Sequence, residues 1–552
     1  MQGSRHSIRR SLPAILILAG ALLVSTPGAR AANPTAGTEA ELVAAIQAVN
    51  ASGPGSHTIT LAADITLTGL LPALDNPAAG ELLIDGVGFT LAGDNAHTVL
   101  SVAPGTAVRL RDLTISNGSG SGGPDGKSGG GIDNRGRLTI NNTILSGNRA
   151  THGGGILNGG SLTVESSLIS DNAAVHGGGG IYNTGALTIN ASTLSGNSAA
   201  AGGGIATLAQ TVNAGVTIAG SSLAFNTAGM GGGIYVYADN GGAAAVTLRN
   251  VLHEANTATA GAGAIDLFAN AAGGVTATVT GSRFVDNHGA RGGALGALAR
   301  NGQLAVNVSN TTLGGNVADE GGAVAATAES AGTARVTLAG STVWNNLATL
   351  AGGGVYTVAT SQGITSLTVF NATLSGNMAG AGGGLHLSGS GGTVGATITY
   401  STLAGNTAGL GGGGIHTAAA GGAATATLTA TIISSPGSRP ACVRAGGNIV
   451  STGYNLSSDA SCSLTQGNDQ PATAAGLLPL ALNVPGATAT HALDVTSPGR
   501  NRVPIGAAGC GTAVTRDQRG APRPQPDGGR CDVGAYERTE VVYSSYLPLG
   551  IR

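Results

Sequence analysis

Seven ionisable residues crowd into three successive stretches of otherwise small, neutral sequence: His253 and Glu254, then Asp286, His288 and Arg291, then Asp319 and Glu320. Carboxylates held near one another beside His or Arg are the equipment for cleaving glycosidic bonds. One acid protonates the leaving oxygen while a second carboxylate acts as base or nucleophile. On that chemistry Asp286, His288 and Glu320 are the best catalytic candidates. The plainer reading is tolerated variation at an exposed corner. Arg291 and Glu320 each stand four residues after an asparagine, where His152 and His176 stand in earlier stretches, and Asp286 has a counterpart in Asp171. Equivalent positions on neighbouring strands can simply pair their charges, so no catalytic residue is assigned.

A second chemistry is sugar stacking. Tyr182, Tyr235 and Tyr356 each directly follow a recurrent aliphatic residue, should point outward, and could stack on a glycan ring. Ala206, Gly296 and Ala325 interrupt them at the same position, and aromatics make up only 3% of the chain. The third is cysteine chemistry. Cys442, Cys462, Cys510 and Cys531 are the only four and lie in the last quarter. An even number in an exported chain implies disulfides. Three pairings are possible, and the spacings favour Cys442 with Cys462 and Cys510 with Cys531. No Cys-x-x-Cys or histidine spacing supports a metal site, and no cofactor is called for.

These residues need a scaffold, and the composition says which kinds to expect. Glycine accounts for 97 of 552 residues, charged residues for 9%, and the net charge is -2. A disordered chain carries more charge and fewer aliphatics, and nucleic-acid binding needs clustered Lys and Arg. Both are excluded as expectations. The length exceeds one ordinary compact core, which favours an array growing in one dimension. Arg5, Arg9 and Arg10 precede an apolar run from Leu12 to Val24 and then Ala29-Arg30-Ala31, an export signal with cleavage expected after Ala31. No later stretch is long and apolar enough to span a bilayer. A secreted or cell-surface monomer is expected.

Thr38 and Glu41 read as a capping box opening a helix whose Leu42, Val43, Ile46 and Val49 share a face. Short β-rich segments follow, Thr58 to Leu61, Ile65 to Thr68, Leu82 to Ile84 and Phe89 to Leu91. Helix and first strands suit the atypical end unit that a repeat stack requires.

From Gly129 to Ile415 a block of small residues and one aliphatic recurs eleven times, at Ile132, Ile156, Ile181, Ile205, Ile234, Ile265, Leu295, Val324, Val355, Leu385 and Ile415. Eight or nine residues before the last ten of these stands an asparagine: Asn148, Asn172, Asn197, Asn226, Asn256, Asn287, Asn316, Asn346, Asn377 and Asn406. Strand-like runs such as Leu138-Thr139-Ile140 lie between. One coil of a parallel β-solenoid per repeat accommodates all of this. The aliphatics stack into columns that no single coil could bury, and the asparagines stack at a corner where their amides bond to one another. The first three intervals are 24, 25 and 24 residues and the rest 29 to 31, so longer strands and a projecting ridge are expected in the later coils.

The repeat resembles that of polymorphic outer-membrane proteins, Phe-x-x-Asn followed by Gly-Gly-Ala-aliphatic. Phe284-Val285-Asp286-Asn287 and Gly292-Gly293-Ala294-Leu295 match it literally. This likeness implies a right-handed parallel β-helix of the pectate-lyase-like type, and leaves function open among lyases, hydrolases, adhesins and stalks. After Ile432 the rhythm breaks. Asp517-Gln518-Arg519-Gly520-Ala521-Pro522-Arg523-Pro524 and Cys531-Asp532-Val533-Gly534-Ala535-Tyr536-Glu537 resemble the end of the choice-of-anchor Q domain, which joins such repeats to surface anchors. Here no transmembrane tail follows.

The expected organisation is a signal peptide over 1–31, a cap with the first coils over 32–128, the repeat helix over 129–434, a disulfide-containing C-terminal domain over 435–537 and a tail over 538–552. Arg519, Arg523, Asp532 and Glu537 are expected to form a structural charge network closing the stack. The expected role is a non-catalytic adhesion, interaction or structural module meeting a surface glycan or another surface protein. The alternative is a polysaccharide lyase or glycoside hydrolase.

Overall fold

The computed structural model describes residues 32–120, 129–436, 439–526 and 528–539. The expected signal peptide and all but the first two residues of the expected tail lie outside them. The chain is an all-β, right-handed parallel β-solenoid of about 14 turns. A single coil shows how the sequence is used. Ile132–Asn134 lies in sheet C, Arg137–Asn141 in sheet A, Ile144–Ser146 in sheet B and Arg149–His152 in a narrow fourth strip, before Ile156–Asn158 re-enters sheet C one layer on. Sheets A, B and C run to 16, 15 and 13 strands, and every neighbouring pair in them is parallel.

Register explains the aliphatic periodicity. Ile132 pairs with Ile156 and Ile156 with Ile181, while Leu138 and Ile140 stack on Leu162 and Val164. Alternation along each strand sends these side chains inward, and they join one continuous core. Glycine in the small-residue block permits the coils to approach: a Cβ on Gly154 would lie 2.5 Å from the Gly179 carbonyl oxygen in the next coil.

The coil lengthens where the intervals lengthen. Sheet C strands grow from three residues at Ile181–Asn183 to six at Ile205–Gln210, and sheet A strands from five at Ala186–Asn190 to seven at Ala243–Arg249. Left-handed turn residues such as Asn240 and Asn301 mark the tip of the added edge.

Both ends are closed. Helix α1, Glu39–Asn50, starts on the Thr38–Glu41 capping box and buries Leu42, Ala45, Ile46 and Val49. Ala45 takes the inward place expected for Val43, which is only half-buried. At the other end, Cys442–Ala445, Asn448–Gly453 and Leu456–Ser457 pair with the preceding coil. The solenoid therefore runs past the expected boundary at 434. Cys442 occupies the place of Ile415 in the aliphatic column, and its disulfide to Cys462 sits in the core.

The remaining C-terminal residues turn back along the flank. Gln518 accepts from the Thr373 hydroxyl at 2.6 Å, Asn371 Nδ2 donates to the Arg516 carbonyl at 2.8 Å, and Ala535 N–H donates to Thr402 Oγ1 at 3.0 Å. The charge network lies in this module. Arg523 pairs with Glu537 at 3.1 Å with both side chains fully buried, Arg519 pairs with Asp517 at 2.7 Å, and their guanidiniums cover Tyr400 and Tyr536. It fastens the module to the side of the stack, since Tyr400 belongs to a solenoid coil, instead of closing its end. Cys510–Cys531 ties the module internally.

Candidate functional site

Asn148 Nδ2 donates to Asn172 Oδ1 at 2.9 Å, and the same bond repeats link by link to Asn406. Each amide is further occupied by backbone. Asn287 Nδ2 also donates to the His253 carbonyl, and its Oδ1 accepts the Asn256 N–H, both at 3.0 Å. All four of its hydrogen-bonding places are used, so this corner has no spare group for chemistry. Two shorter ladders accompany it. Asn134, Asn158 and Asn183 bond in series, and hydroxyls such as Ser167 and Ser192 accept the backbone N–H of the coil before. Their signals, an Asn two residues after the aliphatic and a Ser or Thr five before the ladder Asn, are readable in the sequence.

The catalytic candidates do not converge. Asp286 is exposed on a left-handed corner at φ 55°. His288 is exposed just beyond Asn287, and Glu320 ends the strip strand Val317–Glu320 of the next coil. Asp286 and Glu320 thus stand at opposite ends of the strip. Glu320 instead faces Arg291 at 3.8 Å, and Asp319 accepts from the Thr349 hydroxyl at 2.8 Å. His253, counted with the charged cluster from sequence, lies inside the core, fully buried and stacked on Phe284 at 4.6 Å.

The tyrosines do point away from the core, but they are not open platforms. The strip folds back over the outer face of sheet C. Tyr182 is 6% and Tyr235 8% exposed, and His152 meets the Tyr182 ring edge-on at 4.8 Å. Tyr356 is half-buried, with burial and the neighbouring Glu320 pushing its hydroxyl up to about 12.

Register places these residues in one outer column: Tyr182, Ala206, Tyr235, Asp266, Gly296, Ala325, Tyr356, His386 and His416. The one mark of Asp266 in the sequence is its place directly after Ile265, the place Tyr235 occupies after Ile234. Its coil also turns differently. Three residues before the aliphatic, nine other coils place a left-handed glycine, such as Gly231 at φ 61° and Gly292 at φ 75°. The Ile265 coil has Ala262, which is not left-handed, and the Ala262 backbone lies on the side of the Asp266 carboxylate, where it favours the charged form. Burial pushes that carboxyl up to about 6, against the opposing pull of the Ala262 backbone and Arg291.

The covering strip thins in the same region, although its backbone still bonds to both neighbouring coils, the His288 N–H to the Asn256 carbonyl and the Val317 N–H to the Asn287 carbonyl, each at 2.9 Å. Its first part ends at Thr257–Ala258 and its second begins at Val317–Glu320, with only single bridges at His288 and Arg291 between. Gly296 and Ala325 put two small residues in succession in the outer column, and Ala262, Arg291 and Asp266 close in over the first: a Cβ on Gly296 would lie 2.9 Å from the Ala262 Cβ and 3.1 Å from Asp266 Oδ1. The result is a slot of about 150 Å³ walled by Tyr235, Asp266, Phe268 and Arg291. A shallower groove of about 410 Å³ lies at the step where the coils lengthen, between Tyr182 and the ledge of Leu208, Gln210 and Val212. Among the described residues no group of three or more His, Cys, Asp or Glu is placed to hold a metal ion.

No protein-family model matches the chain, and no curated protein matches it.

Proposed function

We propose that the protein is an exported, surface-associated β-helix that works as a non-catalytic adhesion, interaction or structural module, meeting a surface glycan or another surface protein as a monomer. The observation that carries this reading is the separation of Asp286 from Glu320. A hydrolase or lyase needs its carboxylates facing one substrate bond, and these two stand at opposite ends of the strip, with Glu320 turned to Arg291. Two disulfides suit an oxidising compartment. The basic and apolar N-terminal pattern supports export, and no helix among the described residues is long and apolar enough to cross a membrane. The likeness to polymorphic outer-membrane repeats and to the choice-of-anchor Q domain belongs to the same proposal.

Two measurements test it. Protease treatment of intact producing cells should release the protein from the surface. The purified mature chain should leave acidic and neutral polysaccharides uncut. Turnover that Asp286→Ala or Glu320→Ala abolishes would overturn the reading in favour of the lyase or hydrolase.

A further inference from the structure

The slot over Gly296 and Ala325 is a departure from the repeat at several independent places at once. The turn glycine is replaced by Ala262, the outer column carries a carboxylate at Asp266, the next two places in that column are small, and the covering strip thins to single bridges at His288 and Arg291. A repeat that only needed to stack would keep its turn, as the neighbouring coils do. Ala262, Arg291 and Asp266 crowd the place over Gly296, where a Cβ would lie 2.9 Å from the Ala262 Cβ, so the slot is narrow. Its volume, about 150 Å³, is below the roughly 300–1,000 Å³ of sites for drug-sized ligands, which limits the occupant to about one ring.

The lining specifies the ring. Tyr235 and Phe268 give it apolar aromatic walls, which suit the C–H face of a sugar. Asp266 accepts hydroxyl protons and Arg291 donates to hydroxyl oxygens, so together they suit a pair of neighbouring hydroxyls. One cation, Arg291, lies between the two carboxylic groups Asp266 and Glu320, so the slot offers no excess positive charge to an acidic sugar. We infer that this slot binds a single neutral pyranose ring, presented at the end of a glycan chain, between the aromatic walls and the Asp266–Arg291 pair. The inference rests on the non-catalytic interaction reading above and names the ligand class for it.

The test is saturation-transfer NMR on the full mature chain with the methyl glycosides of glucose, galactose, mannose and glucuronic acid. At least one neutral glycoside should receive saturation, with the glucuronide weaker. Asp266→Asn and Ala325→Leu, the second of which fills the slot without touching its polar groups, should each weaken binding by about tenfold or more, with circular dichroism and melting like the parent. Absence of transfer to every neutral glycoside, preference for the glucuronide, or binding unaltered in both variants would overturn the slot. Surface attachment measured on cells carrying Asp266→Asn separates the two proposals: retained attachment with lost glycoside binding leaves both standing, whereas a parent protein that is never exported sinks only the broader reading.

Discussion

His253 shows how a residue's place in the coil decides its chemistry. It occupies the inward position of sheet B between Leu223 and Phe284, and neither ring nitrogen has a hydrogen-bond partner among the described residues. Burial pushes its pKa down to about 3, so the core holds it neutral. Its folded pKa is below its unfolded one, so its contribution is complete above about pH 6.5 and is lost as pH falls toward 3. At pH 5 that loss is roughly 2 kcal/mol. His253→Leu should therefore match or exceed the parent in urea unfolding at pH 7 and exceed it by a wider margin at pH 5; an equal margin at both pH values would disprove the buried neutral histidine. From sequence, His253 beside Glu254 reads as part of an exposed cluster, because adjacent residues look alike in composition. Strand alternation sends them to opposite sides. For Asp266 the converse holds: Ala262 stands four residues before it in the same coil, but Arg291 becomes its neighbour only when coils stack.

At the level of the element, the asparagine corner was legible before any coordinates, because a side chain that stacks on its own copy must recur at fixed spacing. The hydroxyl ladder was equally periodic, but Val251 and Ala372 interrupt it. The asparagine chain behaves as a series connection. Removing one amide at Asn287→Ala leaves the Asn256 N–H and amide, the His253 carbonyl and Asn316 Oδ1 each short of a partner. At roughly 1–3 kcal/mol for an unsatisfied buried group, and allowing for relaxation, we expect a loss of about 3–5 kcal/mol. Hydrogen exchange should speed up in the coils of Asn256 and Asn316 first; protection unchanged there would show that the ladder contributes little. The lengthened strands beyond Ile205 followed from the interval change. The thinning of the strip to single bridges at His288 and Arg291 did not.

In the whole molecule, stability is a sum of coils and their contacts with neighbours, so each end needs its own closure. Helix α1 covers one end. At the other, the Cys442–Cys462 disulfide completes the aliphatic column, and closing a loop of this size contributes about 3 kcal/mol. Replacing both cysteines by serine should raise exchange in the coils around Ile415 and leave those packed on Leu42 unchanged; a uniform rise along the chain would show that the array unfolds as one unit. The flanking module adds a lateral brace, from Ala489 against Thr342 to Gly534 against Ala430. The sequence alone determined the parallel solenoid, its aliphatic columns and its asparagine corner, because stacking copies of one coil turns spatial neighbours into a period along the chain. Only the tertiary structure decided which ionisable groups meet, that the C-terminal module lies along the flank, and that Asp266 and Arg291 frame a slot. Those contacts join residues from different coils, or from coil and module, with no common spacing to reveal them.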